Sequence, residues 1–237
     1  MKTIGVIGGL GPMATVYYLE LITKMTDAAS DQEHPRIVLK STPDTPDRTS
    51  YIIGESDENP LPFLIDAGKE LLRMGADFIT VPCVTAQYFY KELTEALGAP
   101  VISLCGNIAE DIYRKGIKKV GILATSGTIK SRVMEKSFQE KGIDCVVPDE
   151  QLQQDVMKII YGQIKKGEPV DLELFLKIGD ALSQQGAEKL ILGCTELSLI
   201  KKLHPLDERF VDVLEVLAQK AVLFSGAPLK KEYLDVI

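Results

Sequence analysis

The chain repeats itself, and that constrains its fold more than any other feature. "GADFITVPC" opens at Gly75 and reaches Cys83 eight residues later, and "GAEKLILGC" opens at Gly186 and reaches Cys194 by the same step. Upstream, "IGVIGG" at Ile4 has a counterpart in "VGILAT" at Val120. Downstream, "PVISL" follows the first cysteine as "FVDVL" follows the second. Halves with the same order of apolar runs fold as two similar units, and 237 residues suffice for two lobes of roughly 100–120 residues each.

Within each half, short apolar runs alternate with longer amphipathic segments. Strands are expected at 4–7, 36–40, 77–81, 101–104, 120–124, 145–147, 189–192 and 210–213. Helices are expected at 13–28, 61–74, 86–97, 108–115, 129–141, 151–165, 172–185 and 213–225. This alternation, with near-continuous apolar strands, predicts an α/β fold of two lobes, each on a parallel sheet. The stretch 41–59 is rich in Pro, Asp, Thr and Ser and reads as a long loop. Ligands of open α/β sheets bind outside the carboxyl ends of the strands, where Cys83 and Cys194 both stand. If the lobes face each other, each brings one thiol to a shared cleft.

Composition excludes several partners. A net charge of -7 disfavours nucleic acid, which needs a basic face. No run approaches the roughly 18 apolar residues of a membrane span. The opening "MKTIGVIGGLGPMAT" has only a short, glycine-broken apolar run, so no signal peptide and a cytoplasmic location are expected. The four cysteines are widely spread, which predicts free thiols there. Without paired ligands at short spacing, and with two histidines in all, no metal site is expected. "GVIGGLGP" has the spacing G-x-x-G-G-x-G and no Walker lysine, so no nucleotide cofactor is expected. That segment reads instead as a tight turn walling the cleft, with Thr15 near the ligand.

Both repeat cysteines precede expected helix starts, where free N–H groups and a partial positive charge favour a thiolate. Each has a threonine close behind it, Thr85 and Thr195, and hydroxyls with free N–H groups suit a carboxylate. Two thiols on opposite sides of a carbon can invert it: one takes a proton from one face and the other returns one to the opposite face. That chemistry needs neither metal nor nucleotide. Cys105 and Cys145 lack the symmetry and read as packing residues.

"VPCVTAQ" and "LGCTELSL" resemble the two signature segments of the aspartate/glutamate racemase family, which works without pyridoxal phosphate. "GVIGGLGPMAT", "TPDRT" (45–49) and "GILATSGTIKS" resemble further segments of it, and the likeness covers most of the chain. Glu196, directly after "GCT", resembles the aspartate racemase branch. The resemblance implies two pseudosymmetric lobes with the site between them: 1–98 plus 206–228 as the first lobe, 99–205 as the second, and 229–237 as a C-terminal tail. The last strand and helix would thus return to the first lobe. Cys83 and Cys194 would be the acid/base thiols, and Thr85, Thr125, Thr128 and Thr195 would bind the α-carboxylate. Arg48 and Lys165 would hold the side-chain carboxylate of an acidic amino acid, the former by a planar bidentate grip and the latter as a point charge. Glu196 and Gln87 would stand behind the thiols, and a homodimer is implied. Val84 and Gln87 depart from the family pattern, which has Asn and His there. Val84 cannot donate a hydrogen bond, and Gln87 cannot take up a proton.

Two other readings stay open on the residues alone. The same lobes could serve a related isomerase, a hydantoin racemase or a decarboxylase. They could also hold an acidic ligand without chemistry.

Overall fold

The computed structural model describes residues 1–237. In the first sheet β1 (Ile4–Gly8) lies between β2 (Ile37–Ser41) and β3 (Phe78–Thr80), all parallel, with Ile4 in register with Ile37 and with Phe78. The second sheet contains β4 (Lys119–Leu123), β5 (Asp144–Val146), β6 (Lys189–Leu192) and β7 (Phe210–Asp212) in the order β5-β4-β6-β7, again all parallel. Beyond β3 one parallel bridge, Ile79 to Val101, stands where β7 stands beside β6. Both lobes thus repeat one strand order, as the duplicated sequence predicts.

Gly5 and Gly121 hold matching positions in β1 and β4, and close packing requires both. A Cβ at Gly5 would lie 2.6 Å from Ile79 Cδ1, and one at Gly121 would lie 2.9 Å from Leu190 Cδ2. The paired "IGVIGG" and "VGILAT" segments therefore reflect one local packing solution used twice.

The first lobe carries α1 (Pro12–Met25), α2 (Arg48–Ile53), α3 (Leu61–Arg73), a 3-10 turn at Thr85–Phe89 and α4 (Tyr90–Leu97). Then come α5 (Leu104–Arg114), α6 (Ser126–Ser131), α7 (Val133–Gln139) and α8 (Glu150–Met157). A π turn at Lys158–Gln163 and a 3-10 turn at Ile164–Lys166 lead on to α9 (Leu172–Gln184), α10 (Ser198–Leu203) and α11 (Val213–Ser225). No helix is long and apolar enough to cross a membrane.

Three apolar cores order these layers. One joins β1, β3 and Leu64, Leu71 and Leu93 of α3 and α4. Another joins β4, β6 and Phe175, Ile178 and Leu182 of α9. The largest, with 32 buried residues, lies between the sheets and takes side chains from both, from α1 and α11, and from α5 and α7. The lobes therefore share their main core and are not independently sealed.

Several expectations need correction. The strand expected at 101–104 shrinks to the Val101 bridge, because the Ser103 side chain turns to accept from Gly106 N and starts α5 at Leu104. The strand at 210–213, expected to return to the first lobe, pairs with β6 in the second sheet. Phe210 is held there by stacking on Phe175, centroids 5.3 Å apart, over the bare Cα of Gly179. Its helix does cross over: α11 packs on α1 and α5. The helix expected at 86–97 begins as a 3-10 turn, and the one at 129–141 is broken at Arg132, φ 56°. The helix at 151–165 loosens into the π turn after Met157. The long loop contains α2, nucleated by Asp47, whose carboxylate accepts from Ser50 N at 2.8 Å.

Candidate active site

Cys83 follows β3 by three residues and Cys194 follows β6 by two, so both thiols emerge at carboxyl ends of equivalent strands. Gly193 lets the second loop press against its neighbours, since a Cβ there would sit 2.9 Å from Met134 Sδ and 3.1 Å from Ala124 Cβ. Thr195 Oγ1 donates to the Pro82 carbonyl at 3.2 Å and so ties one cysteine loop to the other. Both thiols, each 5% exposed, line a single cavity between the lobes.

The cavity holds about 10 Å³, room for one water-sized sphere. Its walls also include Arg48, Val84, Thr85, Thr125, Lys165, Thr195 and Glu196. Asp47, Arg48, Lys165 and Glu196 also border an outer vestibule of about 380 Å³, walled by Gly9, Gly11 and Pro12 of the glycine-rich turn. A small inner chamber and a larger outer one thus share four charged wall residues, two cations and two carboxylates.

Three threonines form one hydroxyl cluster across the lobes. Thr85 Oγ1 lies 2.9 Å from Thr125 Oγ1 and 3.1 Å from Thr128 Oγ1, and those two are 3.1 Å apart. Thr125 caps α6 by accepting from Thr128 N, which fixes its rotamer. Of the three, Thr128 supports the cluster from behind and does not line the cavity.

The charges are arranged in pairs. Arg48 donates to the backbone carbonyls of Thr45 (3.2 Å), Pro46 (3.1 Å) and Leu10 (3.1 Å), and its buried Nε has no partner. Burial disfavours its charge, but the facing Cys83 and Asp47 outweigh this and raise its pKa overall. The Asp47 carboxyl is disfavoured as an anion by burial, yet Ser50 N, Arg48 and Lys165 bring it below the ordinary carboxylate range. Tyr161 donates to Asp47 Oδ2 at 3.1 Å, a contact between lobes, and Lys165 Nζ lies 4.6 Å from the centre of its ring.

On the opposite side Cys194 Sγ donates to Glu196 Oε2 at 3.0 Å. The other oxygen, Oε1, lies 3.7 Å from Lys165 Nζ, within ion-pair reach but without a hydrogen bond. It also abuts Gly11, where a Cβ would meet it at 2.7 Å. Burial raises the Cys194 pKa well above the ordinary thiol value, and Glu196 raises it further, while Lys165 works the other way. The expected stabilisation of a thiolate by a helix N-terminus is thus overridden at Cys194. The helix behind it, α10, starts four residues later at Ser198.

Of the residues singled out from sequence, Cys83, Cys194, Arg48, Thr85, Thr125, Lys165, Thr195 and Glu196 meet at the cavity. Thr15 and Gln87 do not. Thr15 Oγ1 accepts from Gly9 N and donates to the Gly11 carbonyl, both at 2.9 Å, and so staples the glycine-rich turn. Gln87 Oε1 accepts from Leu104 N at 3.0 Å. Sequence reasoning missed Leu10, Asp47, Thr49 and Tyr161 in the wall. Asp47 adjoins Arg48 in "TPDRT" and Tyr161 lies one turn before Lys165 in "IYGQIKKG", so both stood within segments already marked.

Known proteins resemble this chain in sequence and in fold. The family described as Asp/Glu/Hydantoin racemase matches residues 7–221. A solved aspartate racemase of Picrophilus torridus superposes with a TM-score of 0.82 at 30% identity, covering 98% of each chain. The broad-specificity amino-acid racemase RacX of Bacillus subtilis is 27% identical over 225 residues, 92% of this chain and 96% of that one. A glutamate racemase of Francisella tularensis, solved with D-glutamate, shares the fold with a TM-score of 0.70 at 19% identity, covering 100% of this chain and 84% of that one.

Proposed function

The chain belongs to the Asp/Glu/hydantoin racemase family, and from that premise we propose that it racemises aspartate or another acidic amino acid by proton transfer between Cys83 and Cys194. The observation that carries this reading is one cavity lined by a thiol from each lobe, with Arg48 and Lys165 at its mouth. One thiolate takes the α-proton and becomes a thiol, leaving its electron pair on the α-carbon. The opposite thiol then gives its proton to the other face and becomes a thiolate. The hydroxyls of Thr85, Thr125 and Thr195 hold the α-carboxylate. Thr128 orients that cluster, and Arg48 and Lys165 take the distal carboxylate. Glu196, hydrogen-bonded to Cys194 Sγ, keeps that thiol protonated for its role as the acid. The steps require no cofactor. An amino acid exceeds the inner chamber, so entry displaces the Asp47–Tyr161 contact that bridges its wall.

L- and D-aspartate incubated separately in deuterium oxide are expected to converge on the racemate with deuterium at the α-position. Cys83→Ala and Cys194→Ala should each lower racemisation by a factor of about 10³ or more. Full activity in either variant would overturn the two-thiol scheme. Light scattering of the purified chain tests the homodimer that belongs to the same proposal.

One observation favours a second reading. Val84 puts an apolar surface on the cavity wall where the family pattern has a hydrogen-bonding Asn. A less polar substrate of the same fold, a hydantoin or a substituted dicarboxylate, would suit that wall better. Polarimetry over a panel of amino acids, hydantoins and dicarboxylates separates the two. Ligand-induced thermal stabilisation without exchange at carbon would instead mark a binding protein.

A further inference from the structure

The residue four positions after each thiol makes the same kind of connection. Gln87, four after Cys83, accepts at Oε1 from the backbone N–H of Leu104, the first residue of α5, at 3.0 Å. Ser198, four after Cys194, donates from Oγ to Oδ1 of Asp212, the N-cap of α11, at 2.5 Å. The two helix starts are equivalent. Each follows the strand position paired beside the thiol's own strand, Val101 beside Ile79 and Phe210 beside Leu190. Each opens a helix that crosses to pack with the other lobe, α5 against α7 and α11 against α1. Gln87, Ser198 and Asp212 are 4%, 0% and 0% exposed, and none lines the cavity.

Buried polar side chains demand partners, and these could have been replaced by apolar groups had packing been their only task. Two lobes with different side chains, a glutamine in one and a serine–aspartate pair in the other, arrive at the same tie. We propose that Gln87 and the Ser198–Asp212 pair are positioning residues, each fastening its cysteine loop to the start of the helix exchanged between the lobes and so setting how its thiol faces the cavity. The proposal rests on the reading that the two thiols are the working pair.

The two ties differ in charge. Gln87 is neutral at every pH. Asp212 Oδ1 also accepts from Leu214 N at 2.8 Å, while its buried Oδ2 has no partner. The ionisable groups around it are Glu215 on α11, Lys201 on α10 and Tyr17 on α1. Burial, and then Glu215, push its carboxyl up to about 7. The Cys194 side therefore carries a tie that changes charge near neutral pH, and the Cys83 side does not.

The test uses the full chain and needs no substrate. Wild type, Ser198→Ala, Asp212→Asn and Gln87→Ala are alkylated with iodoacetamide, and the rates at Cys83 and Cys194 are read separately by peptide mass spectrometry. Ser198→Ala and Asp212→Asn are expected to speed alkylation of Cys194 about fivefold or more, leaving Cys83 within about twofold, and Gln87→Ala to do the reverse. The ratio of the two rates in wild type should step near pH 7, a step that Asp212→Asn removes and Gln87→Ala keeps. Ser198→Ala leaves the Asp212 cap in place and so covers the case in which Asp212→Asn fails to fold. Equal acceleration of both thiols, an unchanged ratio, or a step that survives Asp212→Asn would overturn the proposal. If the wild type racemises nothing while the alkylation pattern holds, the functional reading fails and the positioning role stands.

Discussion

At the residue scale, Glu196 adds to what burial already does to Cys194. A carboxylate 3.0 Å from a thiol holds the proton on sulfur, because a neighbouring negative charge disfavours the thiolate. Glu196→Gln removes that charge and keeps the shape. The Cys194 pKa should fall, so the midpoint of its alkylation-pH profile should move to lower pH by about 1 unit or more, with Cys83 unmoved. A midpoint that stays or rises would show that burial alone governs the thiol. The pair of thiols, their threonines and the two cations were legible in the sequence because the repeat and the signature segments marked them. Thr15 and Gln87 were marked by closeness along the chain, and their polar atoms turn to backbone groups behind the site rather than into the cavity. Tyr161 was illegible for a different reason. It stands on a π turn, whose wider winding takes side chains out of the 3.6-residue period on which a helical reading depends.

At the element scale, β1, β3, β6 and β7 were the easiest to read, being short apolar runs buried on both faces. The break between α6 and α7 was hidden, because the apolar pattern runs through it and no glycine or proline marks it. Arg132 adopts φ 56°, a left-handed conformation that is strained for a side chain with a Cβ. Its contact with Glu135, at 4.0 Å and with the arginine largely exposed, returns little. Arg132→Gly is therefore expected to stabilise the protein by about 0.5 kcal/mol, read as a higher urea midpoint at unchanged slope. A lower midpoint would mean that the arginine's surface contacts outweigh the backbone strain. In α11 nine of thirteen residues are buried, among them Val213, Leu214, Val216, Leu217, Ala218, Ala221 and Val222, so most of its surface is covered. Leu217→Ala, in the shared core, should cost about 2–5 kcal/mol and lower the melting temperature. A loss below about 1 kcal/mol would indicate that the core closes over the gap.

At the scale of the whole molecule, the doubled architecture was visible in the repeat, and the family resemblance implied the exchange that returns the last helix to the first lobe but misplaced the strand before it. Sequence similarity records what each lobe contains, whereas the partner of a crossing helix is chosen by which apolar faces remain uncovered. That exchange buries Asp212 at the start of α11, and the burial has a pH signature. Its carboxyl, with an ordinary value of 3.8, is raised to about 7 in the fold. The folded state therefore holds a proton that the unfolded chain has released, and stability falls as pH rises from about 4 to 7, by at most about 1.4 kcal/mol per pH unit. Asp212→Asn should flatten that limb in urea unfolding curves, and an unchanged slope would place the titration elsewhere. The order of assembly follows from the same exchange. The helix that covers α1 follows both sheets in the sequence, so the first lobe keeps one apolar flank bare until that helix is made. The shared core can close only once α11 has been made, after both sheets.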